Sequence, residues 1–194
     1  MNFLKNIYIW TLKKAEHKNA KWYLSLISFA ESSFFPIPPD ILLIPMALAS
    51  KTKALFYAFV CTLSSVLGGI FGYAIGYFFF NSIGLYIVEF YHLENSFIIF
   101  ENYYKEFGIL IVLGAGITPF PYKFITIASG VFGLNIYLFV IVSIIGRGLR
   151  FYLIAILLYF FGEKIKLFID KYFNILSITF FILLVGSVFI IRFL

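Results

Sequence analysis

A small group of ionisable side chains lies inside otherwise apolar stretches of this sequence. Glu31 and Asp40 belong to one such stretch, whereas Lys123, Arg147 and Arg150 belong to later ones. An unpaired ionisable group in an apolar segment that crosses a membrane costs about 2.5–3.5 kcal/mol, so such groups are expected to pair with one another or to bind ligands. The carboxylates and cations of this group together carry one excess positive charge. That balance favours an anionic ligand such as a phosphate group, to which arginine presents planar paired donors.

The composition indicates the environment in which these charges must function. Hydrophobic residues make up 62% of the 194 residues and charged residues only 12%, and the mean hydropathy is +1.00, whereas soluble domains are about 45–50% apolar. Several apolar runs have the length of about 20 residues that a membrane-spanning helix requires. The sequence therefore predicts an all-α integral membrane protein with a single membrane domain. Its net charge of +6 is explained by membrane topology, so we expect no nucleic-acid partner.

The order of apolar, charged and proline-containing segments predicts two copies of one unit, each with a surface helix, a re-entrant broken hairpin and a transmembrane helix. Outside the apolar segments, lysines and arginines number ten on one side, against Lys105 and Arg192 on the other. This asymmetry predicts a cytoplasmic N-terminus. We predict an interfacial helix at 1–23, a hairpin at 24–50, a transmembrane helix at 54–80, a surface helix at 92–107 that ends before Gly108, a second hairpin at 108–133, and transmembrane helices at 135–161 and 173–194.

Prolines interrupt both predicted hairpins, because they remove backbone donors and push the preceding residue out of the α region. The two Pro-x-Pro patterns are displaced by 83 positions, since 119 minus 36 and 121 minus 38 both equal 83, and the same shift places Asp40 on Lys123. Inverted repeats with matching interruptions are typical of transporters whose site lies at the membrane midplane. The predicted hairpin tips contain Pro36, Pro38, Pro39, Pro119 and Pro121.

Helix length indicates that the charged side chains can meet. The proline clusters lie about 11–12 residues into the predicted hairpins, which corresponds to a depth of roughly 16–18 Å. Arg147 lies at a similar depth in its own span, and Arg150 follows one helical turn later. We therefore expect Glu31, Asp40, Lys123, Arg147 and Arg150 to converge near the bilayer centre. Gly68, Gly72 and Gly76, spaced four apart, predict a helix face that another helix approaches closely.

Structural roles are open alternatives for several of these residues. Asp40 can serve as a first-turn acid of the helix after Pro39. Thr118 followed by Pro119 has the pattern of an N-cap and a first helical residue. Arg147 and Arg150 can instead extend to the cytoplasmic interface.

An enzyme is the competing class of protein. His17 and His92 lie in predicted surface segments away from the charged cluster and are not accompanied by metal-ligand spacing, so we predict no catalytic histidine, metal or cofactor. No glycine-rich phosphate loop with its lysine occurs in the sequence. A lipid phosphatase built on Glu31 and the arginines is the third hypothesis, and a protein without enzymatic activity is preferred.

Taken together, three stretches resemble the DedA family, also called the SNARE-associated Golgi protein or VTT-domain superfamily, and within it the bacterial YqaA-like subfamily. These stretches are Glu31 with 35–40 (Phe-Pro-Ile-Pro-Pro-Asp), 118–130 (Thr-Pro-Phe-Pro-Tyr-Lys-Phe-Ile-Thr-Ile-Ala-Ser-Gly) and 146–150 (Gly-Arg-Gly-Leu-Arg). The resemblance implies movement of anionic or zwitterionic lipids between leaflets, with functional carboxylates at Glu31 and Asp40. The sequence departs from the family at 114–117, where many members carry an arginine, and at Lys123, where arginine is common.

The combined hypothesis is a multi-pass lipid transporter or scramblase of the bacterial inner membrane. It would move phospholipid or polyprenyl-phosphate headgroups past the charged cluster, so membrane lipids are the expected partners. Coupling to protons and the oligomeric state are left open. The alternative is a proton-coupled transporter of a small solute or ion that uses the same residues.

Overall fold

The computed structural model describes residues 19–35, 37–80, 84–90, 94–162 and 164, so the predicted segment 173–194 and most of 1–23 lie outside the described residues. No strand occurs in the described ranges, and the all-α prediction is confirmed there. In chain order the helices are α1 (Ala20–Ser33), α2 (Asp40–Ala49), a 3₁₀ turn (Lys51–Lys53), α3 (Ala54–Phe79), α4 (Leu85–Phe90), α5 (Glu94–Ile117), α6 (Tyr122–Val131) and α7 (Ile136–Gly162).

Two helices in the described part of the chain are long and apolar enough to cross a membrane. One is Lys51–Phe79, which is α3 with the 3₁₀ turn before it, and the other is α7, with 29 and 27 residues and a mean hydropathy of 1.9 each. A helix satisfies its backbone hydrogen bonds internally, which is the requirement for a segment surrounded by lipid. Their positions agree closely with the spans predicted at 54–80 and 135–161.

The helices break at both proline clusters. α1 ends at Ser33 and α2 begins at Asp40, directly after the buried Pro39. Pro36 lies outside the described residues. α5 ends at Ile117, and Pro121, with φ −63° and ψ 102°, precedes α6. Because Pro121 is the residue before α6, the alternative in which Thr118 caps this helix is wrong.

Two predicted helix boundaries are also wrong. α5 continues through Gly108, because a glycine ends a helix when it adopts a left-handed conformation. In the described residues, positive φ occurs at Gly133, with φ 63°, just after α6. Gly108 instead allows close packing, since a Cβ atom there would lie 3.1 Å from Leu134 Cδ1. α1 begins at Ala20 rather than near residue 24, because Ala20 and Leu24, both buried, lie on one helix face.

Contacts between helices define their directions. Between α1 and α3 the partners stay 33–39 positions apart, from Ser25–Ser64 to Ser32–Ser65, so the two helices run parallel. Later residues of α3 meet earlier residues of α7, since Arg147 contacts Ser65 whereas Phe139 lies beside Gly69. α3 and α7 are therefore antiparallel.

The helix bounds of the two halves correspond at a nearly constant displacement. α1 and α5 end at residues 33 and 117, which are 84 apart, and α2 and α6 begin at 40 and 122, which are 82 apart. α3 and α7 begin at 54 and 136 and end at 79 and 162, displacements of 82 and 83. The predicted displacement of 83 therefore relates helix ends as well as prolines.

Each half contributes its own apolar cluster, and α7 belongs to both. Leu24, Leu43 and Met46 pack with Phe151 of α7 in the first cluster. Val112 and Tyr122 pack with Phe139 of α7 in the second. The polar segment of α7 that carries Arg147 lies between Phe139 and Phe151, so this helix places the arginine at the junction of the two halves.

Candidate functional site

Glu31 and Arg147 form a buried ion pair between the two halves. Nη2 of Arg147 donates to Oε2 of Glu31 at 2.6 Å, and the side chains are 2% and 10% exposed for Arg147 and Glu31. Nε of Arg147 donates to Oγ of Ser65 at 2.6 Å, and Oγ of Ser32 donates to the same oxygen of Glu31 at 3.1 Å. A buried charge is tolerated when its partner and further hydrogen bonds are present, as here.

Aromatic rings enclose the Arg147 guanidinium. Its Cζ lies 4.9 Å from the ring centroid of Tyr122 and 4.7 Å from that of Phe151. Such cation–π contacts stabilise a desolvated arginine by about 2 kcal/mol. The Tyr122 hydroxyl forms a hydrogen bond of 2.6 Å with Ser143, which fixes the ring in place. Arg147 is therefore held by α1, α3 and α6 and is closed to a ligand.

Substitutions of Tyr122 separate the ring from the hydroxyl. We expect Tyr122→Phe to lower the free energy of unfolding by about 1 kcal/mol, because one hydrogen bond is lost. Tyr122→Leu is expected to cost about 2 kcal/mol more, because the cation–π contact disappears as well. Thermal unfolding in detergent measures both. Equal losses for phenylalanine and leucine would show that the ring does not stabilise Arg147.

Hydroxyl groups line the seam between α1 and α3. The hydroxyls of Ser32 and Ser65 lie 2.7 Å apart, Ser28 donates to the carbonyl of Cys61 at 2.8 Å, and Ser33 donates to the carbonyl of Gly68 at 2.9 Å. Our sequence reasoning did not include these serines. The signal was present in the paired serines at 32–33 and 64–65, inside segments that are rich in apolar residues.

Arg150 connects the two helix breaks. Its Nη2 donates to Oδ2 of Asp40, the first residue of α2, and its Nη1 donates to the carbonyl of Thr118, the first residue after α5. Asp40 is thus both a first-turn acid and an ion-pair partner. The last carbonyls of a helix lack partners within the helix, and Arg150 satisfies one near this helix end. Thr126 of α6 similarly donates to the carbonyl of Ser32 at 2.9 Å, in the last turn of α1.

Lys123 does not join either pair. It is half-buried near the start of α6, and its Nζ lies 5.4 Å from the ring centroid of Phe124. No ion pair connects it to a carboxylate within the described ranges. The cation is therefore not neutralised by the carboxylates of the other half. Pro38 is half-buried and Pro119 and Pro121 are exposed.

The three predicted packing glycines face two neighbouring helices, α1 and α6. A Cβ atom on Gly68 would overlap the backbone of Phe29 in α1, and one on Gly76 would overlap the backbone of Ile127 in α6. At Gly72 the obstruction is the Thr126 hydroxyl. The glycine face of α3 therefore lets α1 and α6 approach it, which brings the ends of the broken helices together.

The chemistry available at this site is charge pairing and anion binding. No group of three or more His, Cys, Asp or Glu side chains that could hold a metal occurs in the searched part of the chain, and His17 and His92 lie outside it. Of the two arginines, Arg147 is enclosed and Arg150 is the more accessible, with 2% and 14% of the side chain exposed. A new anionic ligand would therefore meet Arg150 first.

In the residues that the structure describes, the fold and the site define a class of protein: all-helical, with two helices able to span a membrane and with charged pairs beside two helix breaks. The chain belongs to the same family as a protein of Haemophilus influenzae described as "Uncharacterized protein", with 34% identity over 192 residues, 99% of this chain and 100% of the relative. An "Uncharacterized protein HI0703 homolog" of Histophilus somni is 33% identical over 167 residues, 84% of this chain and 85% of the relative. No family model and no solved structure matches the chain.

Proposed function

We propose that the protein is a multi-pass transporter or scramblase of the bacterial inner membrane that moves lipid headgroups between the leaflets. Its substrate class is phospholipids or polyprenyl phosphates, whose headgroups carry a phosphate. The acyl chains would stay in the bilayer while the headgroup passes the breaks between α1 and α2 and between α5 and α6. This is a transport function without chemical change of the lipid.

The contact of Arg150 with both breaks is the observation that carries the proposal. Irregular backbone at membrane depth is tolerated where it is buried in protein or lines a polar cavity. Here both irregular segments meet at a charged side chain, and Lys123 adds a cation without a paired carboxylate among the described residues. An excess of positive charge next to two interrupted helices suits a phosphate group.

The displacement of 82–84 between helix ends supports an inverted repeat as the basis of this site. α3 and α7, the corresponding long helices, run antiparallel, as two units inserted with opposite orientation would require. In such transporters the site lies at the interface of the repeats, near the midplane. Under this proposal Arg150 and Lys123 contact the headgroup. Arg147, which the sequence analysis placed in the same charged cluster, instead holds the halves together through Glu31.

Lipid scrambling in liposomes tests the proposal. The purified protein is reconstituted with fluorescent phosphatidylglycerol, phosphatidylethanolamine or phosphatidylcholine, with and without a pH gradient. We expect scrambling by the wild type and at least about a tenfold slower rate in Arg150→Gln, equivalent to the loss of one charge-assisted contact. Lys105→Gln is the matched control, because it removes one positive charge from an exposed position, 64% accessible, and should leave the rate unchanged.

Absence of lipid movement by the wild type under all conditions would contradict the proposal. A pH-gradient dependence would indicate proton coupling, whereas equal rates with and without the gradient would indicate passive scrambling. If no lipid moves, solute uptake by the same vesicles would favour the small-solute alternative, and release of phosphate from the lipid would favour the phosphatase.

A further inference from the structure

The two ion pairs differ in the number of contacts that hold each arginine and in how far each pair is exposed. In the Glu31–Arg147 pair the guanidinium is stacked between two rings, and its Nη2 and Nε donate to Glu31 and Ser65. In the Asp40–Arg150 pair both side chains remain partly accessible, 18% and 14% exposed. No ring contact is found for the Arg150 guanidinium in the described part of the chain. The second pair is therefore the one that a ligand can replace.

Asp40 is an incomplete partner for Arg150. Only Oδ2 of its carboxylate accepts a bond from the guanidinium, and Oδ1 is buried without any hydrogen-bond partner among the described residues. A buried oxygen that lacks a partner costs about 1–3 kcal/mol. Part of the stabilisation from the ion pair is therefore offset as long as Asp40 stays in place.

Release of Asp40 would not leave the carboxylate without stabilisation. Asp40 is the first residue of α2, where the helix dipole favours a negative charge. The released carboxylate could also take up water at Oδ1. Arg150, in turn, can present its planar paired donors to a phosphate, which offers more oxygens than one carboxylate contact.

We propose that the Asp40–Arg150 pair is a latch between the two helix breaks, in which Asp40 holds the place of the phosphate group of the ligand. A phosphate that binds Arg150 would displace Asp40 and separate the start of α2 from Thr118. The inference deepens the proposed function and rests on it for the source of the ligand. It assigns opposite roles to the two residues: Arg150 binds the anion, and Asp40 competes with it.

Binding measurements in detergent micelles test the latch independently of transport. The probes are short-chain phosphatidic acid and inorganic phosphate, titrated against the full-length protein by calorimetry. We expect Asp40→Asn to bind phosphatidic acid about five- to tenfold more tightly than the wild type, because a competing ion pair is removed. Arg150→Gln should abolish this binding. Preference for phosphatidic acid would identify a lipid as the ligand, and equal binding of inorganic phosphate would identify the free anion.

A matched variant separates competition from a general change in charge. Glu101→Gln removes the same negative charge from a side chain that pairs with Lys105 on α5 and leaves Arg150 with its partner, so its affinity should change less than twofold. Equal gains in Glu101→Gln and Asp40→Asn would overturn the latch, as would weaker binding in Asp40→Asn. The comparison also needs folded protein, which far-UV circular dichroism establishes for each variant.

A distance measurement tests the movement itself. Ile41 and Phe120 are exposed, 42% and 40%; Ile41 follows Asp40 directly, and Phe120 lies two residues after Thr118. Spin labels at these two positions, in a Cys61→Ala background, should move apart when phosphatidic acid binds, and should already be apart in Asp40→Asn. An unchanged distance would overturn the latch. If the distance and binding results hold but no lipid is scrambled, the latch stands and the proposed function falls.

Discussion

Replacing Glu31 with glutamine is expected to lower the free energy of unfolding by about 3–5 kcal/mol, because Arg147 is then left as a buried charge without its partner. The amide can still accept one hydrogen bond, but it cannot neutralise a guanidinium that is 2% exposed. The proposed lipid movement should be lost together with stability, since this pair joins α1 of the first half to α7 of the second. Labelling of Cys61 provides the measurement, because this single cysteine is fully buried and reacts with a thiol reagent only when the helices separate.

The double variant Glu31→Gln, Arg147→Met is the control for this prediction. Methionine can fill the space between Tyr122 and Phe151 without a charge, so most of the lost stability should return. Function is not expected to return if the pair also aligns Arg150 one turn away. A double variant as unstable as the sum of the single variants would show that the two residues do not act as a pair.

Adding a methyl group at Gly76 or Gly130 is the second change with a large expected effect. A Cβ atom on Gly76 would overlap the carbonyl oxygen of Ile127, and one on Gly130 would overlap the carbonyl oxygen of Tyr73. Backbone cannot move aside as a flexible side chain can, so α3 and α6 must separate. We expect Gly76→Ala and Gly130→Ala each to cost about 3 kcal/mol or more. Urea or sodium dodecyl sulfate titration, followed by Cys61 labelling, measures the loss.

Gly114 offers a matched control on α5. It is also a helical glycine, but no atom lies within 4 Å of the position that its Cβ would occupy. Gly114→Ala should therefore stabilise the protein by about 0.5–1 kcal/mol, because alanine favours the helix. A similar loss at Gly114 and Gly76 would contradict the close approach of α3 and α6.

The parts of the fold that depend on local chemistry could be predicted from the sequence. Proline removes a donor wherever it occurs, so the breaks at 34–39 and 118–121 followed directly from the residues. The long helices also agree with prediction because each requires only an uninterrupted apolar run. Gly108 shows the limit of local signals: a glycine can end a helix or allow close packing, and a single sequence does not distinguish these outcomes.

The pairing of charges could be predicted only in part. The number of residues from the start of each helix predicted that Glu31, Asp40 and the arginines lie at a similar depth. It did not predict which carboxylate faces which arginine, because that depends on the rotation of each helix about its axis. That rotation depends on contacts such as Thr126 with Ser32, between residues 94 positions apart. Lys123 was expected to join the cluster because of its depth and because it corresponds to Asp40 in the repeat. The serines between α1 and α3 were not predicted as a helix contact, because hydropathy averages treat a hydroxyl in an apolar run as nearly neutral.

The carboxylates and the arginines lie in different halves of the chain, and this separation has a consequence for biosynthesis. Glu31 is 116 residues from Arg147, so at a translation rate of 5–20 residues per second it waits roughly 6–23 s for its partner. During that interval Glu31 and Asp40 lack the arginines with which they pair. Under the proposed membrane location, the ribosome-bound intermediate should therefore be held at the insertion machinery or remain partly outside the bilayer until α7 emerges. Two separately translated halves should assemble when they are produced in the same cell, whereas the first half alone should be degraded.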